Sequence, residues 1–166
     1  MSRVLHYRRL NLKVVNKDNK DEVIEFLEDV KVDVKIKLAL FWVALMFFYL
    51  YNDIFSLFQP GNVAELVEGH LEGVTFTQEL LFGATLLMAL PSIMIALSLT
   101  LKAKMNRLVN IIIGIFHMIV LIGTLFVPGY LWVYYATYMV FEAVFIILIV
   151  WTAWKWPTQE IKSKNG

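Results

Sequence analysis

Two long apolar segments joined by a short turn constrain the fold of this chain more than any other feature. They lie within residues 107–154 and meet at the Val-Pro-Gly-Tyr sequence of residues 127–130. Each segment is long enough to cross a bilayer, and the joint is too short to do more than reverse the chain direction. The pattern therefore predicts a membrane hairpin.

Each arm of this hairpin carries one ionisable residue. His117 lies twelve residues before Gly129, and Glu142 lies thirteen residues after it. At a rise of about 1.5 Å per residue, the two reach a similar depth near the middle of a bilayer. An ionisable group there costs about 3 kcal/mol on insertion scales, so both are expected to face protein or water. We predict that His117 and Glu142 are coupled across the hairpin, with Tyr138, one helical turn before Glu142, as a third member.

Two further apolar segments precede the hairpin, so the chain is predicted to be an all-α polytopic membrane protein with a bundle of four transmembrane helices. A hydrophobic fraction of 59% over 166 residues is too high for a soluble domain of this size. The transmembrane domain is expected over residues 31–157. Its spans are expected at about 38–57, 79–101, 108–127 and 131–154.

The flanking segments are expected to be peripheral. Residues 1–30 are interpreted as a cytoplasmic extension with a short amphipathic helix that begins near Asn19, and residues 158–166 as a cytoplasmic tail. Apolar and polar residues also alternate from Val30 to Leu38, which permits a strand. Direct continuation into the first span favours a helix there.

The basic residues are strongly segregated along the chain. All 15 Lys and Arg residues lie in residues 1–37, 102–107 or 155–164, and none lies in 38–101 or 108–154. The positive-inside rule therefore places both termini in the cytoplasm. The absence of cysteine excludes disulfides and thiolate metal sites.

Other polar residues are candidates for an intramembrane site or for an acidic outer rim. Asn52 and Asp53 lie near the end of the first span. On the third span, small and polar residues recur at steps of three and four and predict a face turned towards protein: Asn110, Gly114, His117, Leu121 and Thr124. Four carboxylates near the loop after the first span form the predicted rim: Glu65, Glu68, Glu72 and Glu79.

Two local signals concern the second span. Thr75, followed by Gln78, has the spacing of a capping box at its start. Pro91 lies near its middle and removes one backbone donor, which is expected to kink the helix and leave a carbonyl available to a neighbour, a water or a ligand. Ordinary helix packing is the simpler explanation of that proline.

From Lys31 onward the chain resembles a family of small four-span prokaryotic membrane proteins of unknown function. The resemblance rests on residues 34–38 leading to Trp42, on the Tyr-Leu-Tyr-Asn-Asp sequence of 49–53, on residues 81–84, and on residues 106–110 followed by Gly114. It implies the fold and a prokaryotic cytoplasmic membrane, but no activity. An acidic residue often precedes the proline of the second span in this family. This chain has Ala89 and Leu90 there.

Three classes of function remain open. The first is a proton-coupled carrier, or a protein that binds a small ligand or lipid, with a polar path through Glu142, His117 and Asp53. Four spans are few for alternating access, so a carrier is expected to form a homo-oligomer. The second is a non-catalytic assembly or scaffold subunit, in which the same residues hydrogen-bond helices together at about 0.6–2 kcal/mol each.

An enzyme is the least supported class. Asp53 and Glu142 are expected at different depths, and neither a nucleophile motif nor a pair of histidines at metal-binding spacing accompanies them. No metal or other cofactor is predicted. The basic N-terminal segment is better explained by attraction to a membrane surface than by nucleic-acid binding. The expected partners are therefore the lipid bilayer, a small molecule or lipid, and further copies of the chain.

Overall fold

The computed structural model describes residues 30–71, 73–126 and 132–157. Within them four long helices, α1 (Val34–Ser56), α3 (Gln78–Thr100), α4 (Ala103–Thr124) and α5 (Val133–Trp154), are long and apolar enough to cross a membrane. Each has 22 or 23 residues and a mean hydropathy between 1.7 and 2.2 over its most apolar window. A helix of that length is about 33 Å long, which matches the hydrocarbon core of a bilayer. The prediction of an all-α, four-span membrane protein is confirmed.

Helix α1 begins four residues earlier than predicted. The carboxylate of Asp33 accepts a hydrogen bond from the backbone N–H of Lys35 at 2.7 Å and so caps the helix. Residues 30–33 are not helical, so a continuous helix running from the N-terminal extension into α1 was a wrong expectation. The predicted amphipathic helix before residue 30 lies outside the described residues.

A short extramembrane segment connects α1 to α3. It contains the small helix α2 (Asn62–Val67) and a two-stranded antiparallel hairpin of β1 (His70–Leu71) and β2 (Val74–Thr75), in which His70 pairs with Thr75. Gly69 follows the C-cap of α2 and has a left-handed backbone, at φ 84°, which ends the helix.

The cap of α3 differs from the prediction. Thr75 belongs to β2, whereas the hydroxyl of Thr77 accepts a hydrogen bond from the backbone N–H of Leu80 at 3.2 Å. Helix α3 then continues through Pro91, which is buried. Proline has no N–H to donate, so the carbonyl of Leu87, four residues earlier, lacks its usual helical partner.

The four long helices form a closed bundle. Helix α1 packs against α3 and α5, α5 also packs against α4, and a smaller contact between α3 and α4 completes the ring. The predicted hairpin is therefore present as the pair α4 and α5, although its turn at residues 127–131 lies outside the described residues. Fully or nearly buried apolar side chains from all four helices fill the centre: Leu38, Trp42, Leu45, Met94, Leu121, Ile146, Ile149 and Ala153.

The outer surface of the bundle is apolar, as expected for contact with lipid. Large side chains such as Phe82, Ile119 and Val140 are each more than 60% exposed. In water such a surface would be an aggregation site, whereas in a bilayer it meets acyl chains. The protein is therefore a multi-pass membrane protein.

Candidate functional site

A polar cavity of about 170 Å³ lies among the four long helices, towards the end of the bundle where α1 ends and α5 begins. Polar or ionisable side chains from α1, α4 and α5 share its wall with apolar side chains. Its lining residues are Tyr49, Asn52, Asp53, Leu87, Met88, His117, Val120, Leu121, Thr124, Tyr135 and Glu142.

His117 is held by aromatic side chains of α1. It is 1% exposed, and its Nδ1 lies 3.3 Å from the hydroxyl oxygen of Tyr49, with which it shares a hydrogen bond. The Tyr49 ring stacks on the imidazole at 26° between planes, and the Trp42 ring meets it edge-on; both centroids lie 6.0 Å from that of His117. In the part of the chain that the structure describes, Nε2 of His117 has no hydrogen-bond partner. The imidazole is therefore fixed in place with one nitrogen available to a ligand or a proton.

Glu142 is the second buried ionisable group on the cavity. It is 3% exposed, and its Oε1 has no hydrogen-bond partner among the described residues. The side chain of Asn52 lies beside this carboxyl group, and the carboxyl of Asp53 is close enough to interact with it electrostatically. The Oδ1 of Asn52 is buried and likewise has no partner within the described segments. An unpaired buried polar atom costs about 1–3 kcal/mol, so these atoms are typical of a site that a ligand or water completes.

Two carboxyl groups, those of Asp53 and Glu142, line the cavity. Asp53 is exposed near the end of α1 and lies at the mouth of the cavity, whereas Glu142 is buried deeper. No Lys or Arg lines the cavity. Asp53 and Glu142 lie at different levels of the bundle, Asp53 near the end of α1 and Glu142 further inside along α5, but both side chains reach the same cavity. Ionised carboxyl groups with no Lys or Arg beside them favour a cation.

His117 and Glu142 line the same cavity without touching directly. Among the residues that the structure describes, no hydrogen bond or ion pair joins them: Nδ1 of His117 pairs with the hydroxyl of Tyr49, and Oε1 of Glu142 has no partner. Their energetic coupling therefore stays a prediction. It would be transmitted by a bridging water, by a ligand or by the electrostatic field inside the cavity.

Asn110 belongs to a different polar cluster, two turns of α4 away from His117. Its Oδ1 accepts hydrogen bonds from Nε1 of Trp42 at 2.7 Å and from the hydroxyl of Ser98 at 3.3 Å. Its Nδ2 donates to Oδ1 of Asn106 at 2.6 Å, and Nδ2 of Asn106 donates to the backbone carbonyl of Ser98 at 2.5 Å. All four side chains are fully buried. Asn110 thus joins α1, α3 and α4 in a satisfied network and does not line the cavity.

Tyr138 also lies away from the cavity wall. Its ring packs against Phe48, Phe55 and Tyr134. The tyrosine of α5 that lines the cavity is Tyr135, which lies two helical turns before Glu142 and so shares its face.

Two tyrosines of the cavity wall, Tyr49 and Tyr135, were not among the predicted site residues. Both carried a usable signal, because Tyr49 lies three residues before Asn52 and four before Asp53, and Tyr135 lies seven before Glu142. These are same-face spacings on a helix.

The predicted acidic rim is described only in part. Two of its carboxylates surround His70: an oxygen of Glu65 lies 3.7 Å from Nδ1, and an oxygen of Glu68 lies 3.2 Å from Nε2. Glu79 is in the first turn of α3, and Glu72 lies outside the described residues. Within residues 30–71, 73–126 and 132–157, no group of three or more His, Asp or Glu side chains could hold a metal ion.

Comparison with known proteins gives a family without an activity. The model of a family of unknown function, DUF6326, matches residues 25–163. No curated protein and no solved structure matches the chain.

Proposed function

The chain belongs to DUF6326, a family of unknown function, and we propose that it is a proton-coupled carrier of small organic cations. The observation that carries the proposal is a pair of buried atoms that have no hydrogen-bond partner among the described residues, Nε2 of His117 and Oε1 of Glu142. They lie on one cavity with a third ionisable group, Asp53, at its mouth. The volume of about 170 Å³ suits a few waters or one small ion, and is small for a drug-sized ligand.

The chemistry of the cavity supports exchange of a cation for a proton. A cation and a proton compete for the same carboxylate, so binding of one at Glu142 displaces the other. Ionisable groups inside a membrane are typical of proton relays, and His117 lies on the same cavity as an acceptor for the displaced proton. Asp53, which is exposed, adds a second negative charge where a cation would enter.

The direction of access follows from the segregation of basic residues. Lys35, Lys102 and Lys155 lie at the bundle end opposite the cavity mouth, and the positive-inside rule assigns that end to the cytoplasm. We therefore place both termini in the cytoplasm, the mouth on the other side, and the protein in a prokaryotic cytoplasmic membrane. Because four spans offer few surfaces for alternating access, the working carrier is proposed to be a homo-oligomer.

Guanidinium-driven proton movement tests this proposal. Purified protein is reconstituted into liposomes that contain a pH indicator, and guanidinium is added outside; tetramethylammonium serves as a second probe. Near neutral pH, neither probe has a neutral form that could cross the bilayer without the protein. If guanidinium enters in exchange for protons, the lumen becomes more alkaline. Glu142→Gln should reduce the initial rate about tenfold or more, since it removes the exchangeable proton and the charge together.

The matched control is Glu79→Gln, which removes a carboxylate at the same end of the bundle but away from the cavity wall. It should leave the rate unchanged. A wild-type protein that moves no protons with either probe, or an equal loss of rate in the two variants, would contradict the carrier proposal.

A scaffold subunit is the alternative, and the cluster around Asn110 favours it. Those polar groups satisfy one another and join three helices, which is what a packing role requires. The same explanation does not account for the cavity, where three buried polar atoms have no partner among the described residues.

A further inference from the structure

A second concave surface lies on the lipid-facing side of α4 and α5. It is a groove of about 410 Å³, within the range of roughly 300–1,000 Å³ that is usual for ligand sites. Its walls are almost entirely apolar. Ile115 and Ile119 of α4 face Ile147 and Val150 of α5, and Trp151 and Trp154 form the end nearest the C-terminus of α5.

Two cations stand at that end of the groove. The guanidinium carbon of Arg107 lies 5.8 Å from the ring centroid of Trp154, and Nζ of Lys155 lies 4.1 Å from the ring centroid of Trp151. Both rings are more than half exposed. In the described parts of the chain, no ion pair joins Arg107 or Lys155 to a carboxylate.

We propose that this groove binds an anionic glycerophospholipid, with one acyl chain between α4 and α5 and the phosphate between Arg107 and Lys155. The two tryptophans lie where an interfacial belt would place them, at the boundary between headgroup and acyl chain. Basic side chains beside a cleft between transmembrane helices are a recurrent binding site for anionic headgroups.

The charges favour a lipid over a second copy of the chain as the occupant. In a two-fold dimer the same groove of each copy forms the interface. The Arg107 and Lys155 side chains of both copies would then lie at one apolar contact, and no described carboxylate would balance their charge. An anionic headgroup supplies that counter-charge. The groove shares no residue with the polar cavity. The lipid site can therefore be tested independently of the carrier proposal.

Thermal unfolding in detergent with added lipid tests the site. Phosphatidylglycerol and phosphatidylcholine with identical acyl chains are titrated into the delipidated full-length protein. Phosphatidylglycerol should raise the unfolding midpoint at lower concentration than phosphatidylcholine. Arg107→Gln combined with Lys155→Gln should weaken this apparent affinity about tenfold or more, because each basic residue near a headgroup contributes appreciably to binding.

Two further variants make the result specific. Lys102→Gln with Lys104→Gln removes the same charge at the same end of the bundle but away from the groove, and should retain the preference for phosphatidylglycerol. Ile147→Trp fills the groove from an exposed position and should also lose the preference, although both cations remain.

Several outcomes would overturn the proposal. One is that the two lipids stabilise the protein equally. Another is that both double Gln variants lose the preference for phosphatidylglycerol to the same extent. A third is that inorganic phosphate alone stabilises the protein. A change of oligomeric mass in Ile147→Trp without a change in lipid preference would identify the groove as an interface between copies instead.

Discussion

At Asn110 both polar atoms of the side chain have partners, whereas at His117 and Glu142 one atom each has none among the described residues. This difference separates two kinds of polar residue that look alike in a sequence of transmembrane helices. A satisfied network fixes helices relative to one another, and an unsatisfied one is costly unless something else completes it. We therefore propose that Asn110 serves helix packing and that the cavity residues serve binding.

The coupling of His117 with Glu142 is tested at this scale by a double-mutant cycle. Glu142→Gln, His117→Ala and the double variant are compared by thermal unfolding in detergent. Because both side chains border one cavity, we expect the double variant to depart from additivity by about 0.5 kcal/mol or more.

The corresponding cycle of Glu142→Gln with Asp53→Asn provides the comparison. The electrostatic interaction between the two carboxyl groups predicts non-additivity there as well. Additivity in the first cycle with coupling in the second would make Asp53, not His117, the energetic partner of Glu142.

At the scale of helices, the approach of α4 to α5 depends on Gly114. A Cβ atom at this position would lie 2.6 Å from Cγ2 of Val150 and 3.8 Å from Cγ2 of Ile149. Small residues allow transmembrane helices to approach closely and gain van der Waals contact. Of the predicted seam of α4, Asn110, Gly114, His117 and Leu121 are buried, whereas Thr124 is half-buried. The buried face also contains Asn106, which was not predicted.

Gly114→Ala should destabilise the bundle by about 1–3 kcal/mol, because the added methyl group overlaps a stiff β-branched side chain. Unfolding by SDS in mixed micelles measures the change. Gly123→Ala is the control on the same helix, since its Cβ would meet nothing within 4 Å, and it should be neutral or slightly stabilising.

Val150→Ala removes the methyl group that the new Cβ would meet. Combined with Gly114→Ala, it should recover part of the lost stability. If Gly114→Ala is as stable as Gly123→Ala, the close approach of α4 and α5 is not tight enough to matter.

For the whole molecule, the open question is orientation. The four spans place the loop that contains α2 at one end and the connection between α3 and α4 at the other. The basic residues distinguish these ends by sequence alone. Because the chain contains no cysteine, single cysteines can report on each side without background.

Cysteine at Glu68 should react with an impermeant maleimide in intact cells, whereas cysteine at Lys104 should react only after the membrane is opened. Both positions are exposed, so reactivity depends on the side of the membrane and not on burial. Labelling of Lys104→Cys in intact cells, with protection of Glu68→Cys, would reverse the orientation and move the cavity mouth to the cytoplasm.

The sequence by itself determined the number of spans, their approximate limits and the buried face of α4. These properties are local, because a helix in lipid satisfies its own backbone and its length must match the bilayer. The predicted helix limits were wrong where an N-cap residue determines the first residue of the helix. Asp33 starts α1 at Val34, and Thr77, not Thr75, caps α3.

Only the tertiary structure decided which polar residues meet. Periodicity assigns a side chain to a face of its own helix, but it does not fix the rotation of that helix against its neighbours, which depends on packing between distant segments. That rotation brings Tyr49, Asp53 and Tyr135 to the cavity of His117 and Glu142, and it turns Tyr138 and Asn110 towards other contacts. The polar site is therefore a property of the assembled bundle, whereas the membrane-spanning fold is a property of each segment.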